Sequence, residues 1–169
     1  MILVSYDGSA DAQAAIDRLA QLMPGAEATV LTVWEPFMNS LARSGSLGMG
    51  MAGTYAYADS EKIDEATRVS ALASATDGAQ RATAAGLVAQ PRAESRNGGI
   101  ANTILVAAAE VDADVVVMGT RGLSGVKSFL LGSVSHAVVQ HADRAVLVVP
   151  SPALAERRHD RVNHDAAPA

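Results

Sequence analysis

The sequence predicts an α/β fold, an open parallel sheet with helices on both faces, on three observations. Short runs rich in Val, Ile and Leu alternate with Ala-rich stretches whose apolar residues recur at helical spacing. The run Asp114-Val115-Val116-Val117-Met118 is almost continuously apolar, as a central strand covered on both faces must be. Apolar residues make up 49% of the chain and charged ones only 18%, enough to fill a core.

Taken in order, Ile2-Leu3-Val4 is a brief buried strand, ended by Asp7-Gly8-Ser9. Ser9 caps a helix whose apolar stripe reads Ala12, Ala15, Ile16, Leu19, Leu22 and Met23, stopped by Pro24-Gly25. Ala28 to Val33 is the second strand. Residues 36–59, rich in Gly, Ser, Ala and Met, read as a flexible insert, long for a loop in a compact domain and either a functional lid or simply mobile. Ser60 to Ala85 reads as a long helix with Ile63, Ala66, Val69 and Ala73 inward. Gly78 within it should cost about 1 kcal/mol relative to Ala and mark a kink. Leu87-Val88-Ala89 opens a third strand weakened by Pro91, and Asn97-Gly98-Gly99 is a turn. Ile100, Ile104, Ala107, Ala108 and Val111 trace the next helical face, and the 114–118 strand follows it. After a Gly-rich segment, a helix runs from Ser133 to about His141, and Ala145 to Val149 is the last strand. The count is five strands and four helices. Residues 151–169 read as a polar, disordered tail behind a single domain over 1–150.

Composition excludes several functions. Thirteen Lys and Arg against 18 Asp and Glu give a formal charge of −5, a poor match for nucleic acid, which needs a basic surface. With no cysteine there is no disulfide, no thiol nucleophile and no Cys-based zinc site. The longest apolar runs are about six residues, Ile104 to Ala109 for example, against the ~20 of a membrane span. No signal-peptide pattern opens the sequence, and a cytoplasmic location is expected.

One constellation carries chemistry: Gly119-Thr120-Arg121-Gly122, nine residues, then Gly132-Ser133. Gly119 ends a strand and Gly132-Ser133 opens a helix. Ligands of open α/β sheets bind beyond the carboxyl ends of the strands. A glycine there lets backbone approach a ligand, and a helix start offers unpaired N–H groups and a positive dipole end suited to phosphate. Ser133 adds a hydroxyl, and Arg121 and Lys127 add positive charge. Asp7 would face this loop if the first and fourth strands are neighbours. Its carboxylate can accept from ribose hydroxyls or help hold Mg²⁺, but suits naked phosphates poorly unless a metal lies between.

These residues resemble the universal stress proteins, in their ATP-binding branch. The family signature Gly-x2-Gly-x9-Gly-Ser/Thr stands complete as Gly119, Gly122, Gly132 and Ser133. Ile2-Leu3-Val4 with Asp7-Gly8-Ser9, Leu31-Thr32-Val33, Leu130-Leu131 and Ala145 to Pro150 are similar as well, so the likeness spans residues 1–150. It implies a five-stranded parallel sheet in the order 3-2-1-4-5, of the adenine-nucleotide alpha-hydrolase-like type, binding ATP, with Mg, in a shallow groove. It also implies roles. The Ser5 and Val33 backbones meet adenine, Asp7 meets the ribose or adenine side, and Met118 and Gly119 lie by the ribose. Gly122, Gly132, Ser133 and Val134 hold phosphates. In that order the 145–149 strand is an apolar edge without charge or proline, which predicts a homodimer through it.

Other signals are weaker. Gly48-x-Gly50-x-x-Gly53 lacks a preceding strand, and no Gly-x4-Gly-Lys-Ser/Thr or Gly-x-Ser-x-Gly string occurs. His136/His141 and His159/His164, spaced by five, share no helix face suited to a metal, though His141 suits the last helix's carboxyl end. Tyr55 and Tyr57 with Met49 and Met51 read as loop filler. The expectation is a nucleotide-binding regulatory protein of stress response rather than a dedicated enzyme, because no His or Glu falls within 119–132 to activate water. Slow hydrolysis, or phosphate transfer onto Ser124 or Ser128, stays open. So do a nucleotide-independent dimeric scaffold and an adenylating enzyme of the ATP-pyrophosphatase type. Against the last, Ser5-Tyr6-Asp7-Gly8-Ser9 lacks the two adjacent glycines of a Ser-Gly-Gly-x-Asp-Ser loop.

Overall fold

A computed structural model of the chain describes residues 1–43, 52–122 and 131–165. The elements run β1 (Ile2–Ser5), α1 (Ala10–Leu22), β2 (Glu27–Trp34), α2 (Phe37–Arg43), α3 (Ala52–Ala84), β3 (Val88–Ser95), α4 (Ile100–Glu110), β4 (Val115–Gly119), α5 (Ser133–His141), β5 (Ala145–Val149) and α6 (Pro152–Asp165). All five strands are parallel, in the order β3-β2-β1-β4-β5, as expected.

Side chains alternate across the sheet, and each face has its own core. Ile2, Val4, Tyr6 and Val30 meet Ile16 and Leu19 of α1 and Ala79 and Ala82 of α3 on one side. Leu3, Leu31, Val116 and Met118 meet Ile104 and Ala107 of α4 and Val138 of α5 on the other. β1 and β4 lie side by side, with Val4 opposite Val117, so the segments leaving their carboxyl ends emerge together. β2 ends at Trp34, the only tryptophan, half-buried and opposite Ser95.

The helices depart from expectation in four ways. First, the 36–59 insert is not all loop: α2 occupies Phe37–Arg43, and α3 starts at Ala52 rather than Ser60. The Gly and Ser residues that suggested a loop fall mainly within 44–51, outside the described residues, whereas Ala52, Ala56 and Ala58 favour helix. The Phe37 N–H donates to Asp64 Oδ1 at 2.6 Å and ties α2 to α3.

Second, α3 turns a different face inward. Ile63 and Val69 are exposed, as are Ala66 and Ala73, while Ala71, Ala75, Ala79 and Ala82 are buried. Small side chains let a helix approach a sheet closely, so the stripe of alanines wins over the bulkier residues.

Third, Gly78 marks no break in α3. A Cβ there would lie 2.8 and 2.9 Å from the Tyr6 ring and 2.9 Å from Val30 Cγ1. The glycine makes room for the Tyr6 ring between helix and sheet.

Fourth, the expected disordered tail carries α6. Pro152 suits the first helical turn, Ala153, Leu154, Ala155 and Glu156 favour helix, and Leu154 is buried. The Leu154 and Ala155 N–H groups both donate to Ser151 O.

Candidate functional site

The site region is built where β1 and β4 end. β1 hands over to Tyr6, whose N–H donates to Leu31 O at 2.8 Å and whose carbonyl accepts the Thr32 hydroxyl at 2.9 Å. The Tyr6 ring is buried, and its hydroxyl donates to Asp77 Oδ2 at 2.8 Å. Burial, then the Asp77 carboxylate, pushes the phenol up to about 12. With Tyr6 anchored on both sides, the next residue, Asp7, stands exposed beyond the strand. Its Oδ1 accepts the Ser9 N–H at 3.0 Å, which closes the turn into α1. Ser9 caps α1, its hydroxyl accepting the Ala12 N–H at 3.2 Å.

On the β4 side, Gly119 is packed against α1. A Cβ on it would come within 2.7 Å of Asp11 C and Cβ and 2.8 Å of Ala12 N. The Thr120 N–H continues the sheet by donating to Val149 O at 2.9 Å. The Arg121 N–H turns to α1 and donates to Asp11 Oδ2 at 3.2 Å, while the Ser9 hydroxyl lies 3.4 Å from Arg121 O. Gly122 then passes beside Asp7, where a Cβ would run into the carboxylate.

α5 begins against the same segment. The Gly132 N–H donates to Thr120 O at 2.9 Å, and the buried Ser135 hydroxyl sits 2.9 Å from Thr120 O and 3.0 Å from Gly119 O. A Cβ on Gly132 would lie 3.3 Å from Thr120 O. Gly132 caps α5 in extended conformation, φ −60° and ψ 156°, and as glycine brings no side-chain acceptor of its own to the first turn. The first N–H groups of α5 and the positive end of its dipole make the kind of start that suits an anion. Among the described residues, the Thr120 hydroxyl, buried in this same corner, has no hydrogen-bond partner.

Asp7, Gly119, Arg121, Gly122, Gly132 and Ser133 thus converge from three segments. Met118 packs in the core beneath them, with Val33 and Val134 partly buried against the same core. Ser5, paired with Leu31, ends β1 two residues before Asp7. Lys127, Ser124 and Ser128 lie outside the described residues, as do Met49, Met51, Gly48 and Gly50. Sequence reading passed over Tyr6, Asp11 and Ser135, which hold the exposed residues in place. An acidic residue two positions after the Ser9 cap and a serine in the first turn of α5 were the signals available. Among the described residues, no group of three or more His, Cys, Asp or Glu is placed to hold a metal ion, and no helix is long and apolar enough to cross a membrane.

This topology is matched by known proteins. The universal stress protein family model matches residues 1–150. The chain belongs to that family. A curated universal stress protein of Thermus aquaticus, from the QAH/OAS sulfhydrylase 3' region, is 35% identical over 150 residues, covering 88% of this chain and 96% of its own. Among solved structures, a universal stress protein in complex with cAMP is 25% identical, with a TM-score of 0.56 over 89% of this chain and 95% of that one. A hypothetical protein whose biochemical function was assigned from its structure reaches a TM-score of 0.67 at 19% identity, over 88% and 94% of the two chains, a likeness of fold alone. Residues 152–165, helix α6, lie beyond the matched span of this universal stress protein.

Proposed function

We propose that this universal stress protein binds an adenine nucleotide, ATP with Mg²⁺, in the cradle between α1 and α5, and that occupancy governs its shape or partner choice in stress response in the cytoplasm. The observation that carries this reading is the glycine-capped start of α5, bonded through Gly132 to the segment that also passes Asp7. The residues fit an anionic group, because side chains at 122 and 132 would fill the cradle and glycine leaves it open. The 25% identical universal stress protein whose structure is in complex with cAMP supports the adenine-nucleotide class.

In this reading the Ser5 and Val33 backbones border adenine and Met118 and Gly119 border the ribose. Asp7 accepts from a ribose hydroxyl or faces the metal. The N–H groups of Gly122, Gly132, Ser133 and Val134, with the Ser133 hydroxyl and the Arg121 guanidinium, hold the phosphates. Mg²⁺ bound with ATP would screen the phosphate charge from Asp7. With no His or Glu within 119–132, turnover is at most slow and binding is the output. The uncharged edge strand β5 pairs with its symmetry mate in a homodimer, and nucleic acid is not a partner of this acidic chain.

The test is calorimetric titration with Mg-ATP, alongside heat release and mass identification of any molecule retained through purification. Saturable binding of an adenine nucleotide supports the reading. No heat with ATP, ADP, AMP or cAMP at millimolar concentration, and no retained nucleotide, overturns it.

A further inference from the structure

We propose that Asp11 is the positioning residue of the cradle, setting the start of α5 through a single peptide unit; this rests on the reading of the cradle as a phosphate site. The peptide between Thr120 and Arg121 is gripped at both ends. Its N–H donates to Asp11 Oδ2 at 3.2 Å. Its carbonyl accepts the Gly132 N–H at 2.9 Å and lies 2.9 Å from the Ser135 hydroxyl. In a trans peptide these two groups point in opposite directions, so fixing one aims the other. The carboxylate on α1 thereby orients the acceptor on which α5 is hung.

Asp11 is suited to this task. It is 7% exposed, so water competes little for its oxygens. It lies in the first turn of α1, where the helix dipole stabilises a negative charge. Its backbone is wedged against Gly119, which leaves it little freedom to move away from the loop. A carboxylate accepting a backbone N–H makes a stronger bond than a neutral acceptor does. Without it the Thr120–Arg121 peptide is held only at its carbonyl, and the acceptor for the Gly132 N–H is less firmly aimed.

The experiment compares Asp11→Ala with Asp11→Asn, which keeps an oxygen acceptor. Calorimetry measures ATP and adenosine, the second having no phosphate to hold, and amide hydrogen exchange follows Arg121 and Gly132 in the ligand-free chain. Asp11→Ala should weaken ATP about tenfold, leave adenosine unchanged and speed exchange at both amides about tenfold, with Asp11→Asn, a neutral acceptor, between it and the unchanged chain. Equal ATP affinity and exchange in Asp11→Ala, or an Asp11→Asn variant as impaired as Asp11→Ala, overturns the proposal. So does an equal loss of adenosine and ATP. If the unchanged chain binds neither ligand, the phosphate reading fails. The exchange data then decide separately whether Asp11 holds the loop.

Discussion

A side chain on Gly122 would strike the Asp7 carboxylate, whereas one on Gly119 would strike the backbone of α1. The two glycines of one signature therefore answer to different demands. The Asp7 carboxylate is the exposed end of a flexible side chain and can move aside; the Asp11 and Ala12 backbone of a capped helix cannot.

Gly122→Ala should accordingly leave the fold nearly untouched, within about 0.5 kcal/mol, because the residue is exposed and its clash is relieved by a rotamer change. ATP affinity should fall at least about tenfold as Asp7 is displaced and the backbone loses its close approach, an energy of about 1.4 kcal/mol or more. Paired calorimetry and urea unfolding check both halves.

Gly119→Ala should do the reverse. Contacts of 2.7 and 2.8 Å with helix backbone force α1 away from β4, at a cost of about 1–3 kcal/mol. The urea midpoint should drop clearly. A variant as stable as the unchanged chain contradicts the packing role.

Alkaline pH should expose Tyr6. Its phenol sits near 12 in the folded chain against an ordinary value of 10.0, so the folded state holds the proton more tightly than the unfolded one. The resulting stabilisation is complete below pH 10 and is lost as pH rises through about 12, by about 2–3 kcal/mol in all. Tyr6→Phe has no proton to lose, and its unfolding free energy should decline less over that interval. Denaturant titrations across the pH range are the measurement.

Gly78→Ala gains helix propensity worth about 1 kcal/mol but must push on the Tyr6 ring and Val30 at contacts below 3.0 Å. Overpacking of this kind costs about 1–3 kcal/mol, so net destabilisation is expected in thermal unfolding.

β5 is hydrogen-bonded to β4 on one side and ends the sheet on the other. Sedimentation at micromolar concentration should give a dimer, and a charge placed at the exposed residue of β5, Ala145→Lys, should shift it toward monomer. A monomeric unchanged chain rules out the edge pairing.

What could be read from the sequence follows its physics. The strands β1, β2, β4 and β5 were visible because they are short and rich in apolar β-branched residues, and α5 because glycine and serine open it and His141 closes it. β3 was visible only at its start, because Val88–Ser95 is mostly polar. The strand order came with the family resemblance, as composition does not specify neighbours. The inward face of α3 was misread because periodicity favours Ile63 and Val69, whereas packing selected the smaller Ala71, Ala75 and Ala79. Gly78 looked like a weakness because its partner, the Tyr6 ring, is distant in sequence. Ser5, Asp7 and the signature glycines were legible as residues at element ends. Asp11 was not, because its hydrogen bond to the Arg121 N–H spans 110 positions.

Trp34 closes β2 directly after Val33, half-buried, and no other tryptophan exists in the chain. Its emission is therefore a native optical probe of the β2 rim, free of background from the α5 side. A spectral change on ligand addition would report, without a dye or a label, on the end of β2 where adenine is proposed to sit.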